Sequence, residues 1–143
     1  MVVVDGQGIP VGHLLHTAST NEVRLAEATL ATVRVARSHR AGRPRQKPPR
    51  VIAEKGHDSD PLRKQLAKRG IELIAPHRQN RSTPPLQDGR ALRRYRRRWT
   101  IERTFAWLGN YRRLVMHWDR SLTIYRAFFH SACFMIVLRR VLQ

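Results

Sequence analysis

Apolar positions along this chain fall into short runs separated by turn residues, and only in the second half do they stretch into long helical periods. Val2 to Val4 is a β-branched run closed by Asp5-Gly6-Gln7-Gly8, and Val11, Leu14 and Leu15 resume it, so residues 1–17 read as a hairpin with Asp5 as a turn residue rather than a metal ligand. Ser19 and Glu22 make a capping box for a helix over Asn21 to Val35, with Val23, Ala26, Leu30 and Val33 on one face. Residues 37–50 then form a basic loop, in which Gly42, Pro44, Pro48 and Pro49 interrupt Arg40, Arg43, Arg45 and Lys47. Val51 to Ala53 predicts a short buried strand that delivers Glu54 at its C-terminal end, where α/β folds gather chemistry. Asp60 caps the next helix, with Pro61 at its first position and Leu62 and Leu66 inward; Gly70 ends it, and Ile71 to Ala75 is a further strand.

Residues 90–115 predict a helix in which Leu92, Tyr95, Trp99, Glu102 and Ala106 share a face widened by Ile101, Phe105 and Leu108. Glu102 thus lies on or beside a buried stripe, in a stretch that carries six arginines between Tyr95 and Arg113. Arg98, one turn earlier, is within ion-pair reach, and the same placement suits a ligand for a catalytic cation. Residues 121–142 predict a C-terminal helix with Ile124, Phe128, Phe129, Cys133, Ile136 and Val137. Arg126, His130, Arg139 and Arg140 interrupt it, making it too polar to span a bilayer.

The 143 residues allow one domain with a moderate core. Their 28 basic against 10 acidic side chains, a net +18, repel one another unless a polyanion neutralises them, and nucleic acid is the commonest one. The basic residues spread over loops and helices instead of forming a juxtamembrane block, so a membrane partner is not expected. Cys133 is the single cysteine, which excludes a disulfide framework and a Cys-type zinc site. The opening MVVVDGQG lacks the pattern of a secretory signal, and the expectation is a cytoplasmic protein. His13 and His16 fall on opposite faces of a strand and share no zinc. Trp99, Trp107 and Trp118 are candidates for stacking on unpaired bases, although the helical spacing of the first two suits a core.

Tyr95, Arg98 and Glu102 reproduce the Tyr-x-x-Arg-x-x-x-Glu signature of DDE-class insertion-sequence transposases, and RRWTIERTFAWLGNYRRL resembles the insertion sequence 5 group in particular. That resemblance implies an α/β, RNase H-like fold in which Glu102 is the last of three acids holding Mg²⁺ (or Mn²⁺), with Arg98 and Tyr95 supporting it or positioning a phosphate. VIAEKGHDSDPLRKQLAKRGI resembles the segment of the second acid, normally Asp in an Ala-Asp-Lys-Gly-Tyr context. Here the context is Ala53-Glu54-Lys55-Gly56-His57, so Glu54 takes the acid position and Asp58 that of an ordinary turn residue. The family's Lys seven positions after the Glu is replaced by Gly109, with Arg112 and Arg113 a turn further on.

VDGQGIPVG resembles the family's second and third strands, which implies a fold truncated at its N-terminus, lacking the first, central strand and its acid. The implied function is DNA transposition: metal-dependent strand cleavage and transfer on transposon ends and target, incomplete in this chain alone. An upstream transposase fragment joined by frameshifting, or a homo-oligomer, would be the protein partner; a decayed copy is the other origin. Arg40, Arg43, Arg45, Lys47, Arg96, Arg97, Arg103, Arg112 and Arg113 are the expected DNA contacts. The alternative is a non-catalytic basic nucleic-acid-binding protein, and the Glu102 signature separates the two.

Overall fold

The first strand has an apolar core packed on each of its two faces, and the rest of the chain is layered around it. The computed structural model describes residues 1–17, 19–36, 43–87, 89–116 and 121–142. Strands β1 (Val2–Val4) and β2 (Pro10–His13) pair antiparallel, with Val2 opposite His13 and Val3 opposite Gly12. Successive side chains of a strand point to opposite faces. Accordingly Val3 and Val11 pack on a core of Ala26, Leu30, Leu62, Leu66, Ile71 and Leu73, while Val2 and Leu15 pack on Leu108, Phe129, Ala132 and Ile136. The first core belongs to α1 (Glu22–Ala31), α2 (Asp60–Lys68) and β4 (Glu72–Ile74). The second is built by α4 (Trp99–Gly109) and α6 (Leu122–Val141), with Leu114 of the short α5 (Arg112–Val115) against it. The mixed helix and strand content agrees with the α/β class.

A second sheet is parallel: β3 (Arg50–Ile52) runs beside β4 with Val51 opposite Leu73. Each two-stranded sheet has one edge closed by other groups. On β2 the His13 amide donates to Thr32 Oγ1 (2.9 Å) and the Arg34 amide to the Val11 carbonyl (3.3 Å). On β4 the Gln87 side chain accepts from the Ala75 amide (3.2 Å) and donates to the Leu73 carbonyl (2.6 Å), imitating a neighbouring strand. Arg63 adds bonds to the Leu73 and Ala75 carbonyls (2.7 and 3.0 Å). Among the described residues no strand pairs with the other edge of β1 or of β3. Val51, expected to be buried, is only half-buried in consequence.

Several local expectations are corrected. Asn21, not Ser19, caps α1, because its side chain reaches the Val23 amide (3.0 Å). Ser59 rather than Asp60 caps α2, and Asp60 turns instead to Arg81 (2.6 Å). The helix expected over 90–115 is α3 (Gly89–Arg93), a 3₁₀ turn (Arg94–Arg98), then α4 and α5. Five arginines crowd Arg93–Arg98, and the 3₁₀ rise of about 2.0 Å per residue spreads them and shifts the phase of the helix that follows. The face of α4 that is buried is therefore Thr100, Thr104 and Leu108, while Trp99, Glu102 and Ala106 point outward. Against the expectation that it is too polar, α6 is long and apolar enough to cross a membrane by length and composition alone (20 residues, mean hydropathy 1.2). Arg139 and Arg140 lie in its last turn and interrupt little of its length; Phe129, Ala132 and Ile136 bury one stripe of it.

Asp58, expected as a turn residue, is a buried ionic hub, 6% exposed. It accepts from Arg63 (2.8 Å), Arg81 (2.9 Å) and the Arg78 amide (3.1 Å), with His77 at 3.4 Å. Burial pushes its pKa up, but the guanidinium and amide bonds outweigh that and hold the carboxyl at about 2. The folded value lies below the 3.8 of an ordinary aspartate, so this stabilisation is whole above about pH 4 and disappears as pH falls towards 2. Asp58→Asn should lower the unfolding free energy by about 3 kcal/mol at neutral pH, because it leaves Arg63 without a carboxylate partner in a poorly solvated pocket and Arg81 with Asp60 alone. Urea midpoints between roughly pH 5 and 2 should fall more steeply for the unmodified chain than for the variant; parallel curves would show that the carboxylate is idle.

Candidate active site

Two glutamates from distant parts of the chain meet on one guanidinium. Glu54 follows β3 directly and opens a 3₁₀ turn (Lys55–His57). The Arg94–Arg98 turn lies against β3, which carries Arg98 to it. Arg98 Nη1 donates to Glu54 Oε1 at 2.5 Å, and Nη2 donates to Glu102 Oε1 one helical turn later. Glu54 and Arg98 are 44 residues apart, so the fold and not local geometry creates this contact. Tyr95 stacks under the same guanidinium, 5.8 Å from ring centre to Arg98 Cζ. The expected Arg98–Glu102 pair and the expected nearness of Glu54 to Glu102 are thus both present, in one arrangement.

Burial is where the arrangement departs from expectation. The side chains of Glu54 and Glu102 are 63% and 58% exposed, whereas Arg98 is 24% exposed. Glu102 is therefore not pressed against a core; its helix is turned so that the carboxylate opens to solvent beside Arg98. Thr104 fixes that turn. Its hydroxyl donates to the Gly8 carbonyl (2.7 Å), and Arg103 donates to the Gln7 carbonyl (2.6 Å). Gly8 has φ +86°, and a β-carbon there would stand 3.0 Å from the Thr104 hydroxyl. Asp5 holds this turn by accepting from the amides of Gln7 (2.8 Å) and Ile9 (2.9 Å), as a turn residue should. Sequence reading missed Thr100 and Thr104, whose signal was two small residues four apart.

The expected DNA contacts are scattered. Arg43, Arg45 and Lys47 are exposed before β3, where Val35 and Arg45 form an isolated bridge. Arg96, Arg97 and Arg112 are also exposed. Arg103 is instead committed, with Trp99 and Trp107 rings at 4.6 and 4.9 Å, and Arg113 lies over Phe128 at 5.3 Å. Arg40 and Trp118 lie outside the described residues. His13 does not join His16; it meets His130 of α6 (Nε2 to Nε2, 2.9 Å), and burial followed by the His130 and Arg126 charges lowers its pKa. Burial pushes the Cys133 thiol up to about 11, which disfavours the thiolate. Among the described residues no group of three or more His, Cys, Asp or Glu side chains converges.

The matches to known proteins show the family of the chain. The sequence profile of the transposase DDE domain family matches residues 1–138, and the chain belongs to that family. It is 34% identical over 145 aligned residues to a Burkholderia cepacia protein described as a transposase for insertion sequence element IS402, covering 99% of this chain and 64% of that protein. It is 37% identical over 91 residues to a Brucella ovis protein described as a transposase for insertion sequence element IS6501, covering 62% of this chain and 67% of that one. The chain thus spans about two thirds of the length of these relatives. No solved structure matches it.

Exposed ion pairs contribute little to stability, with a median below about 1 kcal/mol. Glu54→Gln and Glu102→Gln should therefore each change the unfolding free energy by less than about 1 kcal/mol in urea titrations. A larger loss would mean that the pair serves as a structural clasp.

Proposed function

We propose that this chain is the downstream part of a DDE transposase catalytic domain and acts in DNA transposition, with Glu54 and Glu102 as two of the acids of its cleavage site. The convergence of both carboxylates on Arg98 carries the reading. Carboxylate oxygens are the donors that Mg²⁺ or Mn²⁺ takes, and both side chains are open enough to be reached. The residues thus fit the family's divalent cation as part of a donor set, with one acid still to be added. When bound, the cations would activate the attacking oxygen and stabilise the leaving one. The chain's own contribution is positional. Arg98 holds the two carboxylates towards one point, Tyr95 braces Arg98, and Thr104 sets the azimuth of Glu102.

The missing acid belongs, in this reading, on a strand that inserts between β1 and β3. These are the two edges left open, while the outer edges of β2 and β4 are closed by Thr32, Arg34, Gln87 and Arg63. An inserted strand would fuse the two small sheets into one RNase H-like sheet and bring its acid beside Glu54. An upstream transposase segment is the supplier we favour. Arg43, Arg45, Lys47, Arg96, Arg97 and Arg112 would meet DNA phosphates, giving salt-sensitive binding, and the protein would work in the cytoplasm on transposon ends and target DNA.

Glu54 is one methylene longer than the family's Asp, which displaces its carboxylate by about 1.5 Å, and a shift of that size commonly costs about a hundredfold in rate. With the upstream segment joined, Glu54→Asp should raise Mg²⁺-dependent nicking of a plasmid bearing the transposon ends by about tenfold or more. Glu102→Gln should abolish nicking while DNA affinity stays within about twofold, since binding rests on phosphate contacts. Nicking that survives Glu102→Gln would end the proposal; equal rates with Glu and Asp at position 54 would end only the part concerning Glu54.

A further inference from the structure

His13 closes β2 with its ring turned towards α6. Its cross-strand partner is Val2, which packs on the core of Leu108, Phe129, Ala132 and Ile136, and directly opposed residues of a sheet share a face. The His13 ring centre stands 4.8 Å from that of Phe129, and its Nε2 lies 2.9 Å from Nε2 of His130, 117 residues later. Because the His13 amide donates to Thr32 Oγ1, the backbone beneath the ring is fixed. Among the described residues, the charges that act most on His13 are all positive: those of His130, of Arg126 one turn earlier on α6, and of the Met1 amino group. That amino group, just before β1, donates to the Leu14 carbonyl at 2.8 Å, and α6 itself carries no acidic residue. A hydrogen bond between two imidazoles needs an N–H on one ring and a free lone pair on the other. The contact therefore exists only while at least one of the two rings is neutral.

We propose that the His13–His130 contact is a proton-sensitive latch, which fastens α6 to the hairpin near neutral pH and releases it in mild acid. A second proton makes both Nε2 atoms donors and turns the hydrogen bond into a like-charge contact, with no carboxylate on α6 to offset it. Burial first, then the positive charges around it, lowers the His13 pKa from its ordinary 6.5. His13 thus binds its proton less readily folded than unfolded. The stabilisation is whole above about pH 7 and declines as pH falls through 6.5 and below. Asp58 titrates far lower, at about 2, so the two effects are separable. Release matters for the candidate site, because Phe129, Ala132 and Ile136 of α6 pack on Leu108 of α4, the helix that carries Glu102. The latch stands independently of the transposase reading, since it joins two layers of the fold whatever chemistry they position.

The test is amide hydrogen exchange of the full chain at about pH 7.5 and about pH 5.5, corrected for the intrinsic pH dependence of exchange. Protection across α6 should fall by about tenfold at the lower pH. His130→Gln can still donate to the His13 ring but takes up no proton, so its α6 protection should change by less than about twofold between the same conditions. His57, whose pKa burial also lowers, belongs to the turn packed on α1 and is kept in the variant, so its titration cancels in the comparison. Protection of α6 that is indifferent to pH in the unmodified chain, or an equal loss in His130→Gln, overturns the latch. Should His130→Gln not fold, imidazole nitrogen resonances of the unmodified chain decide. His13 and His130 should then take up protons in two coupled steps; two independent titrations near the ordinary histidine value overturn the proposal.

Discussion

A threonine hydroxyl resting on a glycine carbonyl 96 residues away decides where the glutamate helix lies. Thr104 can come that close to the backbone only because position 8 has no β-carbon and adopts a left-handed φ. A helix has only one azimuth once two of its residues are pinned. With Thr100 and Thr104 seated on the hairpin turn, Glu102 must face away from it, towards the end of β3. The hairpin is in turn clamped between two apolar layers through Val2 and Val3, which point opposite ways. The position of a solvent-open carboxylate thus depends on packing in a layer it never touches.

That dependence explains how a site made of exposed side chains can be definite. Glu54 and Glu102 are too open for burial to hold them, and their pairing with Arg98 is energetically slight. What is rigid is the backbone beneath them: β3 locked to β4, and the helix locked to the turn. Asp58 performs the same service on the other side. By gathering Arg63, Arg81 and His77 it draws the segment after β4 back across the sheet, where Gln87 closes the β4 edge. Charge is spent where it is buried and fixed, and kept free where a substrate must compete for it.

Much of this was legible from the residues. The β-branched run, the Asp-Gly turn, the 3.6-residue period of Val23, Ala26 and Leu30 and the glycine after α2 each encode their element locally. The nearness of Glu54 to Glu102 came from motif resemblance, because no local rule links residues so far apart. Burial was misread for the helix carrying Glu102. Periodicity assigned Trp99, Glu102 and Ala106 inward, assuming one unbroken helix; the 3₁₀ turn through the arginines moved the phase, and two threonines with little hydrophobic signal took the buried side. The caps failed in a similar way. Ser19 and Asp60 have the right chemistry, but Asn21 and Ser59 stand at the positions where the backbone leaves the extended region.

The open edges of β1 and β3 bear on the proposed acid set in a way that sequence alone could not. A sheet edge is a row of unmet donors and acceptors, and folded proteins cover or blunt such rows. Here the covering is selective: β2 and β4 are each closed by specific hydrogen bonds, and among the described residues the two uncovered edges belong to the strands that precede the Gly8 turn and Glu54. The proposed further strand would meet those two edges, the one before Gly8 and the one before Glu54. In that proposal, β3 leads to Glu54, so a strand joining its edge would complete the sheet and the acid set together.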